Sequence, residues 1–165
     1  MKLLKSAVDK KAELLDIYWM DNLIMCPALS MLLKVYAEMI DRGHSNPFFT
    51  WSNKNRVVWA QKGNQIVGGI CYEYDAGGRI GWIVLSFTDP EFRGRGINEL
   101  LHYAMEDDVK RLGGDRICSL VHIDNISRQK SAEKVGLRPQ FYRMNKFLNQ
   151  TGDDAIVNGV AARQK

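Results

Sequence analysis

Apolar positions near the start of the chain recur at helical spacing. Over residues 8–25 they fall at Ala12, Leu15, Tyr18, Trp19 and Leu23. After Pro27 they resume at Leu29, Leu32, Leu33, Tyr36, Met39 and Ile40, and Gly43 supplies a stop. The pattern predicts N-terminal helices within 8–43, their apolar stripe packed against a sheet. His44 to Pro47 reads as a loop. Beyond Trp51 the period shortens to two. Residues 56–60 predict a strand, Gly63 and Asn64 a tight turn, and residues 65–74 a second strand. A turn over 75–78 then leads to a third strand over 79–87, rich in Ile, Val, Trp and Phe. These three neighbours form an antiparallel meander.

Helical spacing returns at Ile97, Leu100, Leu101, Ala104, Met105 and Leu112, and ends at Gly113 and Gly114. Residues 116–123 predict another strand. Asp124 and Asn125 are N-cap residues for a helix running to Val135, with Gly136 at its end. Residues 138–148, with Phe141, Tyr142, Met144 and Phe147, predict the last strand, and 149–165 a loose polar tail. Without repeat or linker, the chain reads as a single domain over 1–165, its core at about 56–148. The fold class is α/β of the α+β type, a mostly antiparallel sheet flanked by helices.

Composition narrows the class. With 45% hydrophobic and 25% charged residues, the chain has the balance of a globular protein. No apolar run approaches the ~20 residues that span a bilayer, and Met1 to Lys5 opens no signal-peptide core, so no membrane role and a cytoplasmic location are expected. Cys26, Cys71 and Cys118 are odd in number and lack CxxC spacing, which points to reduced thiols and no metal. The net charge of +4 suits phosphate-bearing partners. Lys and Arg are nevertheless scattered, which argues against nucleic acid, an aminoacyl-tRNA acceptor included.

The informative segment lies between the third strand and the helix behind it: Arg93-Gly94-Arg95-Gly96-Ile97-Asn98. The first amides of a helix lack intrahelical acceptors, and the helix dipole adds positive charge there. Gly94 and Gly96 allow phosphate close to the backbone, a role expected to outweigh any in folding, and Arg93 and Arg95 place cations at the rim. A Walker loop is absent, and a Rossmann fingerprint would follow the first strand of a parallel unit.

This segment resembles the pyrophosphate motif of the GNAT superfamily of N-acetyltransferases, Gln/Arg-x-x-Gly-x-Gly/Ala, at the end of the family's fourth strand. A second signature follows in order: Asn125 after the fifth strand, then Lys134-Val135-Gly136-Leu137 closing the next helix. The resemblance covers about 56–148. It implies a sheet whose fourth and fifth strands splay apart, acetyl-CoA as cosubstrate without a metal, and a primary amine of a small molecule, peptide or protein as acceptor. It places cofactor contacts at Phe87, Thr88, Arg93, Gly94, Arg95, Gly96, Ile97, Asn98 and Asn125. A homodimer stays open.

Two departures bear on catalysis. Asn98 stands where the family has a small residue, and Ala132 where it often has an acid-supplying Tyr, leaving Ser131 or Tyr142 for that role. The family's fourth strand, residues 80–86 here, carries no carboxylate. The candidates for proton transfer are therefore Glu73, His122 and Tyr142, with Asp75 and Asp124 behind them. These absences also define the alternative: a GNAT-fold module that binds acyl-CoA or a partner with lapsed catalysis.

Overall fold

The computed structural model describes residues 1–43 and 51–140. Its elements in order are β1 (Lys2–Val8), β2 (Leu14–Met20), α1 (Leu29–Asp41), β3 (Arg56–Lys62), β4 (Gln65–Asp75), β5 (Ile80–Thr88), α2 (Ile97–Arg111), β6 (Arg116–Ser119) and α3 (Ile126–Lys134). The six strands form one sheet in sequence order. Every pairing is antiparallel except that of β5 with β6.

The expected first helix over 8–25 is instead the end of β1, a turn, β2 and, after it, a single 3-10 turn at Leu23–Met25. Leu15 and Ile17 are fully buried, and the residues between and after them stay partly exposed. That is period two in a segment of aromatic and branched residues, which suits a pleated surface better than a helix face. Ala12, one of the supposed helical positions, sits in the turn with φ +61°. The second expected helix is present as α1. The meander, α2 and α3 match their expected places to within a few residues. β6 stops at Ser119, four residues short of its expected end, because its ladder with β5 contains only four pairs. The last expected strand falls mostly outside the described residues, and 138–140 carry no regular structure.

Each face of the sheet has its own core. On one, Val58, Ala60, Ile70, Tyr72 and Ile83 meet Ile97, Leu101, Met105 and Val109 of α2. On the other, Val57, Trp59, Cys71, Leu85 and Phe87 pack with Leu32 of α1. Alternation along each strand assigns neighbouring residues to opposite faces.

Helix α2 lies close to the sheet because Gly81 lacks a side chain. A Cβ there would stand 2.6 Å from Val109 Cγ2. A buried polar clamp fixes the same end. Tyr72 Oη donates to Asp108 Oδ2 (2.8 Å), Arg56 Nε donates to that oxygen (2.9 Å), and Arg111 pairs with Oδ1. Trp19 Nε1 donates to Tyr72 Oη (3.0 Å) and so brings β2 into the network. Burial raises the Asp108 carboxyl pKa, but Arg111, Tyr72 and Arg56 outweigh it and hold the group below its ordinary value. On its outer flank α2 buries His102 completely, with neither ring nitrogen bonded among the described residues. Burial, reinforced by the charge of Arg128 on α3, lowers its pKa to about 4.

Two stability measurements follow. Gly81→Ala is expected to lower stability by about 1–3 kcal/mol, since Val109 and Met105 must shift to admit the methyl. Denaturant unfolding at neutral pH measures it. His102 gives a pH dependence. The unfolded chain takes up its proton near the ordinary value of 6.5, whereas the folded chain resists until about 4. Its contribution is absent above that window. Stability therefore falls as pH drops through it, by on the order of 3 kcal/mol. Thermal unfolding at pH 7 and pH 4.5 should show a smaller loss for His102→Leu than for the wild type.

Candidate active site

The pyrophosphate-type loop begins where β5 ends. Asp89 caps a single turn at Pro90–Phe92, its side chain accepting from the Glu91 amide (3.0 Å). The chain then turns through Gly94 (φ +76°) and Gly96 (φ +82°) into α2. Both glycines are in the left-handed region, so they serve the backbone as well as any ligand, a larger part in the folding of the loop than the sequence implies. From Gly94 to Asn98, five consecutive amides have no hydrogen-bond acceptor among the described residues. A Cβ on Gly94 would meet nothing within 4 Å. This open row of donors at a helix N-terminus fits a pyrophosphate in shape and in sign.

The two arginines of the loop have different surroundings. Arg93 is exposed, its Nε 3.3 Å from the Thr88 carbonyl. Arg95 is turned into the protein, its side chain only 13% exposed. Its Nη1 bonds Glu13 Oε2 (2.6 Å) and lies 3.6 Å from Asp9 Oδ2, and its guanidinium stacks on Phe92 (4.4 Å). Lys62 also pairs with Glu13 (2.9 Å). The hydrogen bond from Lys62 is the main reason the Glu13 carboxyl is held below its ordinary pKa, with the Arg95 charge adding to it. Burial raises the Asp9 pKa, but the Glu13 and Lys11 amides and then Arg95 more than offset this. The cation expected at the rim is thus consumed by the β1–β2 turn, an arrangement no local motif announces.

Asn98 accepts from Ser86 Oγ (2.9 Å), which ties the start of α2 to β5. Ile97 is buried beneath the loop. Asn125 caps α3, its Oδ1 accepting from the Arg128 amide (3.1 Å). Phe87 points into the α1-side core, and Thr88 pairs with Gly68.

Between the loop and the catalytic candidates the sheet forks. The β5–β6 ladder ends at Ile83 and Ser119, while β5 continues to Thr88. At that level β5 is bulged: Ile83 pairs with Tyr72 and Leu85 with Cys71, so Val84 has no partner on β4. Among the described residues, β5 from Val84 to Thr88 therefore has no strand beside it on the β6 side. The bulge was not legible in the sequence. Glu73 is one pair below it, opposite Trp82 on β5. Alternation puts both on the α1 face with Cys71. Asn55, fully buried, donates from Nδ2 to Glu73 Oε1 (2.6 Å) and fixes the carboxylate. Asn55 is in turn held by the Ser52 amide (2.8 Å). His122 follows β6, its Nδ1 accepting from the Asp124 amide (3.2 Å) and lying 3.7 Å from the Asp124 carboxylate. Ser131 Oγ bonds the Arg128 carbonyl (2.9 Å), and Ala132 is buried. Tyr142 lies outside the described residues. No cluster of His, Cys, Asp or Glu suited to a metal occurs among the described residues, and no described helix is long and apolar enough to cross a membrane.

Known proteins share this fold. The chain is similar over 81% of its length, at 14% identity and TM-score 0.63, to 96% of an aminoglycoside acetyltransferase from an uncultured soil metagenomic sample. It resembles 98% of a ribosomal-protein-alanine N-acetyltransferase from Brucella melitensis biovar Abortus 2308, with 81% of its own length covered, 16% identity and TM-score 0.59. It also resembles the whole of an aminoglycoside N-acetyltransferase, AAC(6')-Iy, solved in complex with CoA, over 79% of its own length, with 21% identity and TM-score 0.56. No curated protein matches the sequence. The model of the Acetyltransferase (GNAT) family matches residues 12–137, well over half of the chain. With that match, and with the forked sheet and open amide row behind it, the chain belongs to the GNAT family of acetyltransferases and is an acyltransferase.

Proposed function

We propose that the chain transfers an acetyl group from acetyl-CoA to a primary amine. One observation carries the reading: the row of unbonded amides from Gly94 to Asn98 leads along β5 to a fork beside a fixed carboxylate. From Thr88 to Val84 is four residue steps, ~13 Å of backbone edge that β6 does not pair. The loop amides and Arg93 hold the pyrophosphate of the cosubstrate, and the β5 edge receives the arm that ends in the thioester.

Acetyl-CoA supplies an activated acyl carbonyl. The amine nitrogen forms a bond to the carbonyl carbon, the carbon–sulfur bond breaks, and the thiolate leaves and takes up a proton. The protein's tasks are to align the amine, take its proton and stabilise charge on the carbonyl oxygen. Glu73 accepts the proton, directly or through water, and Asn55 keeps it in place. Free amides of the β5 edge donate to the oxygen. Trp82, 37% exposed and beside Glu73, offers a ring face to the cationic amine before it is deprotonated. Aminoglycosides and a ribosomal-protein alanine, the acceptors named for the similar structures, can each offer the primary amine to which the proposal commits.

Calorimetry with CoA tests the first half. Gly96→Asp places negative charge against the pyrophosphate and is expected to abolish binding; equal affinity of both proteins would refute the site. Initial rates with a panel of amines test the second. Glu73→Gln keeps an acceptor for Asn55, so CoA affinity should be unchanged while kcat falls by about 10²–10⁴. An unaltered kcat and pH–rate profile would remove Glu73 from proton transfer.

A further inference from the structure

The turn between β1 and β2 is built against the loop. Asp9 Oδ1 accepts from the amides of Lys11 (2.8 Å) and Glu13 (3.0 Å), which shapes the turn, and Arg95 bonds Glu13 at its far side. Between these anchors, the Lys10 amide donates to the Arg95 carbonyl (3.0 Å). The Lys10 side chain then runs across Gly96. Its Cε, Cγ and Cδ would lie 3.2, 3.5 and 3.6 Å from a Cβ on that glycine. The stem thus lies against the residue that caps α2, and its last atom before the ammonium is the closest. The ammonium itself has no ion pair or hydrogen bond among the described residues, and Lys10 is exposed. The nearby carboxylates do not claim it, since Asp9 and Glu13 are held by Arg95 and Lys62. Glu99, in the first turn of α2, is bonded by Tyr103 Oη (3.2 Å).

A lysine pinned at its backbone and laid along its stem over a row of free amides is a partly preorganised anion ligand, because much of its freedom is already lost. We propose that Lys10 is a pyrophosphate ligand of this enzyme, supplied by the β1–β2 turn, and that Arg95 is the positioning residue that holds this turn against the loop. The proposal rests on the cosubstrate reading above. It divides the cationic work of the loop between two chain segments: Arg95 gives its charge to Asp9 and Glu13, and Lys10 brings a free one from outside the motif.

Calorimetry with CoA, 3′-dephospho-CoA and pantetheine tests it. Lys10→Met keeps the stem over Gly96 and removes the charge. It is expected to weaken CoA and 3′-dephospho-CoA equally, roughly tenfold, which is the scale of one charge-assisted hydrogen bond, and to leave pantetheine unchanged. Lys10→Arg should restore most of the affinity, and Lys11→Met should match the wild type. Unchanged CoA affinity in Lys10→Met, while Gly96→Asp abolishes binding, would overturn the Lys10 assignment and leave the cosubstrate site standing. A loss confined to CoA would move Lys10 to the 3′-phosphate, and an equal loss in Lys11→Met would reduce it to general charge attraction; either overturns the proposal. No CoA binding by the wild type would overturn both readings.

Discussion

Where helix α2 sits on the sheet decides everything this protein does at its cleft. The open amides of residues 94–98 are useful only if they face the end of β5, and their direction is the direction of the helix axis. That axis is fixed at both ends. Toward the C-terminus, Gly81 lets Val109 approach the sheet, and Asp108 is tied to Tyr72, Arg56 and Arg111. Toward the N-terminus, Ile97 and Leu101 pack on the sheet and Asn98 is bonded to Ser86. The clamp at Asp108 joins three strands to one helix turn, and removing Asp108 would leave the buried Tyr72 hydroxyl and the largely enclosed Arg56 with unmet bonds.

Around this rigid helix, charge is sorted by burial. Arg95 stands in the motif at a position that sequence alone assigns to phosphate, but its side chain is largely enclosed and needs partners of its own. Asp9, Glu13 and the face of Phe92 supply them. The turn that carries those carboxylates is thereby held against the loop. Free positive charge at the loop remains on exposed groups, whose hydration is easily exchanged for a phosphate.

The fork follows from an equally simple constraint. A parallel pair of strands needs a crossover, here α2, and the crossover returns the chain to β5 for only four pairs. Above them β5 continues paired with β4 on one side only, bulged at Val84, its other edge unpaired by β6. An unpaired edge is ordinarily a liability; under the proposed function it is a row of donors and acceptors for the amide-bearing arm of the cosubstrate. The strand itself carries no carboxylate; Glu73 stands on the neighbouring strand opposite Trp82, just below the fork, steadied by the buried Asn55. The proposed acid–base group and the proposed positioning backbone thus come from adjacent strands.

The sequence by itself determined the meander, α2, α3, the glycine loop and the order of the family's two signatures, because each depends on local chemistry: turn residues, caps and a periodicity of two or near four. It also singled out Glu73 as a candidate. It misread residues 8–25, since Leu15, Tyr18 and Trp19 satisfy helical spacing as well as Leu15, Ile17 and Trp19 satisfy a strand, and only pairing with β1 and β3 selects between them. The tertiary structure alone decided that Arg95 belongs to Asp9 and Glu13, that Lys10 lies over Gly96, that Val84 has no partner and that Asn55 holds Glu73. Each of these is a contact between segments 18 to 86 residues apart or a mismatch between strand lengths. Such contacts leave no periodic trace in either segment, because the energy that selects them exists only once the sheet has brought the two together.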